Sequence, residues 1–278
     1  MLIREPVVAG TFYRLEKEML QRQIEACFRH ELGPKTISKK SFIGAVVPHA
    51  GYDYSGPVAA WVYSRIEKAN YIILGTNHSG LGANFALMKQ GLWKTPLGEV
   101  SIDEKVSSLL LKECKLIEHD VLPHQSEHSI EVQLPFLQYR FGNNFKFVPI
   151  SIKNEFADET FLDSCRVVGK AIAKVLKSLK EKWVILASSD FSHYLPQELA
   201  TDIDNYVISS ILKLDEKNFF SRINEREASL CGFGAIATLI TISKELKAKK
   251  AELLCYKTSG DITKDFSSVV GYASIIIY

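Results

Sequence analysis

Short runs of apolar residues recur along the chain and alternate with longer amphipathic stretches. The runs are rich in β-branched side chains and are bounded by turn residues, which is typical of buried strands. They cover residues 42–47, 71–74, 145–150, 183–187, 251–256 and 268–278. In the last run, Gly271 is expected to mark a bulge or a close contact. Because these runs lack polar alternation, they predict a mainly parallel sheet that is covered on both faces.

The stretches between these runs carry apolar residues at helical spacing. The first stretch repeats them at Leu15, Met19, Ile24 and Phe28. A second helix is expected near Ser55, which would be its N-cap, with Pro57 in its first turn. Further helices are predicted at 159–180, 197–213 and 232–247. The alternation of strands and helices predicts a three-layer α/β fold, with helices on both faces of the sheet and one domain spanning residues 1–278.

Composition excludes several classes of protein. The net charge is +2, from 34 basic and 32 acidic residues, so no broad field attracts nucleic acid or an anionic membrane. No apolar run approaches the ~18 residues of a membrane span, and the first residues lack the apolar region of a signal peptide. The 5 cysteines are scattered and form no disulfide framework. A cytoplasmic, reducing location is therefore expected.

Polar residues with metal-binding or acid–base chemistry follow three of the predicted strands. His49 follows the first run, His78 follows the second, and Asp190 and His193 follow the fourth. Ligands of open α/β sheets bind beyond the carboxyl ends of the strands. We therefore expect these residues to share one site at one edge of the sheet.

Two further segments supply candidates for the same site. Cys231 precedes Gly232 at a predicted helix start, where the helix dipole favours the thiolate form of a cysteine. The alternative is that Cys231 is a small buried apolar residue, as most free cysteines are. His124 and His128 frame an H-x-x-E-H string that resembles inverted zinc proteases.

The protease interpretation requires both histidines on one face of a helix. Pro123 precedes the string, and Ser126 is expected to be an N-cap, so His124 should lie outside the helix. Pro135 then kinks or delays the helix that follows. The sequence therefore disfavours a protease.

Several long segments together resemble the Memo family, whose archaeal and bacterial members are also called AmmeMemoRadiSam system protein B. In order, the segments are 4–13 (REPVVAGTFY), 47–56 (VPHAGYDYSG), 74–78 (LGTNH), 127–137 (EHSIEVQLPFL), 188–194 (SSDFSHY) and 230–232 (LCG). The resemblance implies a fold like that of class III extradiol dioxygenases. In those enzymes two histidines and one carboxylate hold ferrous iron, with open positions for catechol and dioxygen.

The resemblance also implies a set of site residues. Memo proteins look like relatives of these enzymes in which a cysteine replaces the carboxylate ligand. Carried over by motif, the metal ligands would be His49, His78 and Cys231, and the residues lining the same pocket would be Asp190, His193 and His128. Animal members are linked to cell migration, receptor signalling and copper or iron handling. Bacterial and archaeal members are encoded beside a radical-SAM protein, which implies association with proteins of that system.

The chemistry of two imidazoles and one thiolate suits a redox metal or zinc. Thiolate favours copper or zinc, and iron(II) is expected from the resemblance to dioxygenases. Asp190 or His193 would orient a ligand imidazole from outside the coordination shell. Alternatively, His193 or His128 would transfer protons, because imidazole titrates near neutral pH.

Three functions remain open at this point. The first is a metal-dependent oxidoreductase that uses oxygen and acts on an unknown small substrate. The second is a non-catalytic module that binds a peptide or partner through the vestigial cleft, for which the aromatic candidates are Tyr13, Tyr52, Tyr54, Phe191 and Tyr194. The third is a zinc hydrolase, in which the metal activates water.

Overall fold

The computed structural model describes residues 2–278, and the strands at its centre are the apolar runs of the sequence. The strands are β1 (Ile3–Arg4), β2 (Gly44–Val47), β3 (Asn70–Thr76), β4 (Phe85–Leu87), β5 (Leu92–Thr95), β6 (Gly98–Ile102), β7 (Ile117–His119), β8 (Lys146–Ile152), β9 (Trp183–Ser188), β10 (His193–Leu195), β11 (Ala251–Thr258) and β12 (Val269–Ile277). The helices are α1 (Lys17–Arg29), α2 (Tyr52–Arg65), α3 (Glu104–Glu113), α4 (Leu134–Phe141), α5 (Glu159–Lys177), α6 (Gln197–Leu212), α7 (Glu216–Arg226), α8 (Phe233–Glu245) and α9 (Ser259–Thr263).

The sheet has the order β1-β5-β6-β8-β3-β9-β2-β12-β10, with β11 paired to β12, β4 paired to β8, and β7 paired to β4. Strands β6, β8, β3, β9 and β2 run parallel to their neighbours in this series. Antiparallel pairing joins β12 to β2, β11 and β10. The prediction of a mainly parallel sheet is confirmed.

Alternate residues of the central strands point to opposite faces of the sheet. Ile72 and Leu74 of β3 join an apolar cluster with α5 and α8, whereas Tyr71 and Ile73 join a second cluster with α1, α2 and α4. Two separate cores, one on each face, give the three layers expected from the sequence. Among residues 2–278, no helix combines the length and the apolar character that crossing a membrane requires.

The predicted start of the second helix was wrong. The helix α2 begins at Tyr52 after Gly51, and Ser55 and Pro57 lie inside it. The Ser55 hydroxyl donates to the Ala50 carbonyl instead of capping a backbone N–H group. Because α2 starts four residues earlier than predicted, its first turn follows closely on His49.

Two other local predictions differ from the structure. The helix α1 buries Leu20, Ile24, Cys27 and Phe28. Leu15 precedes the helix and Met19 lies on its outer face, and both are exposed. Ser126 is not an N-cap: a 3-10 turn at Glu131–Gln133 leads into α4, and Pro135 lies in the first turn of that helix.

Candidate metal centre

Three neighbouring strands deliver the first site residues to one edge of the sheet. The strands β3, β9 and β2 are adjacent and parallel, and Val47 of β2 pairs with Ser188 of β9. His49, His78 and Asp190 each follow the last residue of one of these strands by two positions. The backbone N–H of His49 donates to Asp190 Oδ1 at 2.8 Å, and the ring centroids of His49 and His78 are 5.2 Å apart.

Cys231 reaches the same point from the segment between α7 and α8. Its backbone N–H donates to the Asp190 carbonyl at 3.3 Å, and the Asp190 N–H donates to Cys231 Sγ at 3.3 Å. A Cβ at Gly232 would lie 2.5 Å from Ser189 Cβ, so glycine allows this close approach. The thiol is unpaired and partly buried, and its Sγ lies 3.2 Å from His49 Nε2.

One nitrogen of His49, one nitrogen of His78 and the Cys231 sulfur all lie within 4.8 Å of one another. The two imidazole planes are inclined at 83°. A ligated ion lies near the plane of each imidazole, and two steeply inclined planes share a line on which one ion can lie. Two imidazoles and a thiolate are borderline-to-soft donors, which suits copper, zinc or iron(II).

A second group, formed by His78, Glu127 and His128, also brings possible ligand atoms within 4.8 Å of one another. The rings of His78 and His128 are stacked, with centroids 4.7 Å apart and planes inclined by only 12°. Nearly parallel, stacked rings do not converge on one ion as the steeply inclined rings of His49 and His78 do. The Glu127 carboxylate already accepts from the backbone N–H groups of His78, His128 and Ser129, at 2.7, 2.9 and 2.8 Å. We therefore favour the group with His49 and Cys231.

Glu127 instead orients His78. Its Oε1 lies 2.9 Å from His78 Nδ1, and a carboxylate can only accept, so Nδ1–H donates and Nε2 is directed away from Glu127. Such carboxylate–imidazole pairs fix the ring of a metal-binding histidine. The sequence did not predict this role, because Glu127 stands out there only within the H-x-x-E-H string and the segment 127–137. The signal that was available is an acidic residue directly before His128 in the longest motif of the chain.

The ionisation states of the two histidines differ. Burial, together with the nearby His78 and His128, holds the pKa of His49 well below its usual value, so His49 is neutral. Burial also lowers the pKa of His78, but hydrogen bonds with Cys231 and Glu127 outweigh it and raise this pKa to about 10. Burial raises the pKa of Glu127, but the His78 hydrogen bond and charge reverse this and lower it to about 2. Without metal, His78 is therefore a cation between a carboxylate and the cysteine.

The remaining predicted site residues take different positions. Asp190 is buried; its main chain hydrogen-bonds to Cys231, and its carboxylate accepts from the backbone N–H of His49. Burial raises the pKa of the Asp190 carboxyl to about 6. The His128 ring lies 5.5 Å from that of His49, and burial lowers its pKa. His193 lies on β10, and its Nδ1–H donates to the Ser229 carbonyl at 2.8 Å. Hydrogen bonds and ring contacts link His49, His78, Cys231, Asp190 and His128, whereas His193 contributes only to the electrostatics of His49 and Asp190.

Aromatic residues near the site fall into two sets. Tyr13, Tyr52 and Phe191 are core residues, with exposures of 2%, 3% and 0%. Tyr54 and Tyr194 are exposed by 48% and 79%. Burial, together with the charges of Asp190, Tyr54 and Tyr194, raises the pKa of Tyr272. Tyr194 has φ 59°, a left-handed backbone conformation that is strained for a bulky side chain.

His124 is separated from the cluster. It ends a 3-10 turn at Leu122–His124, is fully buried, and donates through Nε2 to the Ala86 carbonyl at 3.0 Å. Because His124 and His128 do not share a helix face, the arrangement of an inverted zinc protease is not formed.

Comparison with known proteins extends over almost the whole chain. A family model described as Memo-like protein matches residues 4–276. A MEMO1 family protein of Methanococcus vannielii is 45% identical, over 99% of this chain and 100% of its own. Similar proteins occur in Methanopyrus kandleri, at 43% identity over 98% of each chain, and in Pyrobaculum aerophilum, at 44% identity over 100% of each chain.

A solved structure supports the fold alone. An uncharacterized protein of Escherichia coli K12 superposes with a TM-score of 0.53 at 11% identity. The superposition covers 85% of this chain and 100% of the other.

Proposed function

This chain belongs to the Memo family, and from that premise we propose that it is a metal-binding protein with a metal-dependent redox activity. His49, His78 and Cys231 would hold the ion. The supporting observation is that their three donor atoms lie within 4.8 Å of one another. Asp190 and Glu127 hold these ligands from behind, through hydrogen bonds of 2.8 and 2.9 Å.

The proposed ion is copper or iron(II), with zinc as an alternative. Thiolate ligation favours copper or zinc, and the likeness to extradiol dioxygenases, in which a carboxylate stands where Cys231 stands here, favours iron(II). When bound, a redox metal would supply electron exchange between dioxygen and an oxidisable small substrate. Zinc would instead activate water, which is the chemistry of a hydrolase.

The protein residues around the ion would manage protons and orientation. His128 is the best candidate for proton transfer, because burial keeps its imidazole neutral and its ring stacks on His78 at 4.7 Å. His193 is a second candidate, since its Nδ1–H is donated to Ser229 and Nε2 is left as an acceptor. Asp190 acts through the His49 backbone and is a positioning residue.

Elemental analysis of protein purified anaerobically from its native host tests this function. We expect about one copper or iron per chain, and oxygen uptake in the presence of small aromatic reductants that stops when the metal is removed. Zinc with hydrolytic turnover would support the third function instead. A protein with no metal and no metal-dependent turnover would contradict the proposal.

Metal binding should strengthen as the pH rises from about 6 to about 9, because a ligating imidazole must lose its proton. The His78 proton, with a pKa of about 10, competes with the metal throughout this range. For each proton released the apparent affinity should rise by at most about tenfold per pH unit. Anaerobic calorimetry in buffers of different ionisation enthalpy counts the protons, and an affinity that does not change with pH would refute this competition.

Replacing Glu127 with glutamine should weaken metal binding by ~10–100-fold, which is typical of residues that orient a ligand. Glutamine retains the size of the side chain but loses the charge that holds His78. The matched control is Glu216→Gln, because Glu216 is also a largely buried glutamate but pairs with Arg166 and Lys244. Equal metal affinity in the two variants would show that Glu127 has no orienting role.

A second candidate function is the binding of a peptide or protein partner without catalysis. The exposure of Tyr54 and Tyr194, at 48% and 79%, favours it. Selection from a displayed peptide library would then yield binders whose affinity survives metal removal but falls in Tyr54→Ala and Tyr194→Ala. We also propose association with radical-SAM proteins as a form of partner binding. A binding experiment with the two purified proteins would test it.

A further inference from the structure

We propose that Ser188 and Gln133 are positioning residues that fix the tautomer of His49, with the proton on Nδ1 and the lone pair of Nε2 directed toward Cys231. The tautomer itself follows from the hydrogen bonds alone. Its use in presenting Nε2 to an ion rests on the function proposed above.

The Ser188 hydroxyl has one proton and three polar neighbours. Its Oγ lies 2.7 Å from the Ser129 carbonyl oxygen, which can only accept, so the hydroxyl proton is donated there. His49 Nδ1 lies 2.9 Å from the same Oγ. With its proton already committed, Ser188 can only accept from His49, and Nδ1 must therefore carry the imidazole proton.

The third neighbour of Ser188 is the side-chain amide of Gln133, and its orientation is also fixed by hydrogen bonds. Gln133 Nε2 donates to Ser188 Oγ at 2.8 Å and to the Pro48 carbonyl at 3.0 Å. A reversed amide would direct its oxygen at the Pro48 carbonyl oxygen, and two acceptors cannot pair. At the other end of the amide, the Tyr63 hydroxyl donates to Gln133 Oε1 at 2.5 Å. Donation thus runs in one direction, from Tyr63 through Gln133 and Ser188 to the Ser129 carbonyl.

Burial of these residues excludes hydrogen bonds with solvent in place of those described. Tyr63, Ser129 and Ser188 are each 0% exposed, and Gln133 is 1% exposed. Water therefore does not compete for the Ser188 hydroxyl. In the alternative tautomer of His49 the proton lies on Nε2, and the unprotonated Nδ1 would then have no hydrogen-bond donor. The two histidines also differ in the group that accepts from Nδ1–H. For His49 it is the neutral Ser188 hydroxyl, and for His78 it is the Glu127 carboxylate. Imidazole bound to a carboxylate is the more basic ligand.

Nitrogen-15 NMR of the histidine rings in metal-free protein tests the tautomer directly. The chain has 7 histidines, so the His49 signals are assigned by their loss in His49→Gln. We expect a protonated Nδ1 and an unprotonated Nε2 near neutral pH. A wild-type spectrum with the proton on Nε2 of His49 would overturn the inference.

Variants test whether Ser188 and Gln133 are responsible. In Ser188→Ala the Nδ1 signal should move toward a mixture of tautomers, and copper(I) affinity should fall by ~10–100-fold. Ser188→Thr, which retains the hydroxyl, should restore both. The control is Ser274→Ala, because Ser274 is equally buried and donates to a backbone carbonyl, that of Val58, away from His49.

The two proposals fail in different ways. An unchanged His49 spectrum in both Ser188→Ala and Gln133→Leu would overturn the role of these residues, even if metal binds. A spectrum that responds as expected in a protein that binds none of copper(I), iron(II) and zinc would support the tautomer and refute the proposed metal centre.

Discussion

Replacing either His49 with alanine or Cys231 with serine should remove tight binding of copper(I) or iron(II) and leave the protein folded. Each residue supplies one of only three donor atoms in the group. The loss should therefore exceed the ~10–100-fold that is typical of residues outside the coordination shell. Both residues follow regular elements in loops, so the secondary structure should not change. Anaerobic titration calorimetry and circular dichroism measure the two effects.

The matched control for the cysteine is Cys255→Ser. Cys255 is also unpaired and partly buried, but it lies on β11. Its replacement should not change metal affinity. If Cys231→Ser and Cys255→Ser bind metal equally well, Cys231 is not a ligand.

Arg4→Ala should destabilise the folded protein strongly, by about 3–5 kcal/mol. Arg4 forms an ion pair with Glu131, whose side chain is 0% exposed, and removal of the cation leaves that carboxylate buried without a countercharge. The neutral donors that remain are the backbone N–H groups of Val7 and Val8 and the Tyr13 hydroxyl. A fall in Tm on the order of 10 °C is expected in a thermal unfolding experiment.

An exposed ion pair provides the comparison. Arg14 pairs with Asp53 at 3.1 Å, and the side chains are 53% and 60% exposed. Arg14→Ala should therefore cost less than about 1 kcal/mol. Similar losses of stability in the two variants would contradict the importance of burial. Arg4 also donates to the carbonyls of His124 and Glu127, so its loss should loosen the segment that orients His78.

The central sheet could be predicted because its strands are continuous apolar runs. The runs at 71–74 and 183–187 became β3 and β9, and the polar residues after them met at the sheet edge because parallel strands end together. The close contact expected at Gly271 is present, since a Cβ there would lie 2.0 Å from Asp204 Oδ2. The short strands β4 to β7 were not predicted, because three to five residues with mixed polarity give no clear period.

The parts of the site that depend on distant pairing could not be predicted. Glu127 meets His78 across 49 positions, and Gln133 meets Ser188 across 55. Neither pair has a spacing that a local pattern could reveal. The expected caps at Ser55 and Ser126 failed for a related reason. Serine is a cap only where the backbone leaves an N–H group free, and the tertiary structure of these segments begins the helices elsewhere.

X-ray absorption spectroscopy of the metal-loaded protein tests the metal centre most directly, because it reports the atoms bound to the ion. We predict one sulfur at about 2.3 Å, as in zinc thiolates, together with two imidazole nitrogens. The sulfur contribution should disappear in Cys231→Ser. A shell of only nitrogen and oxygen in the wild type, or a sulfur signal that persists in Cys231→Ser, would contradict coordination by His49, His78 and Cys231.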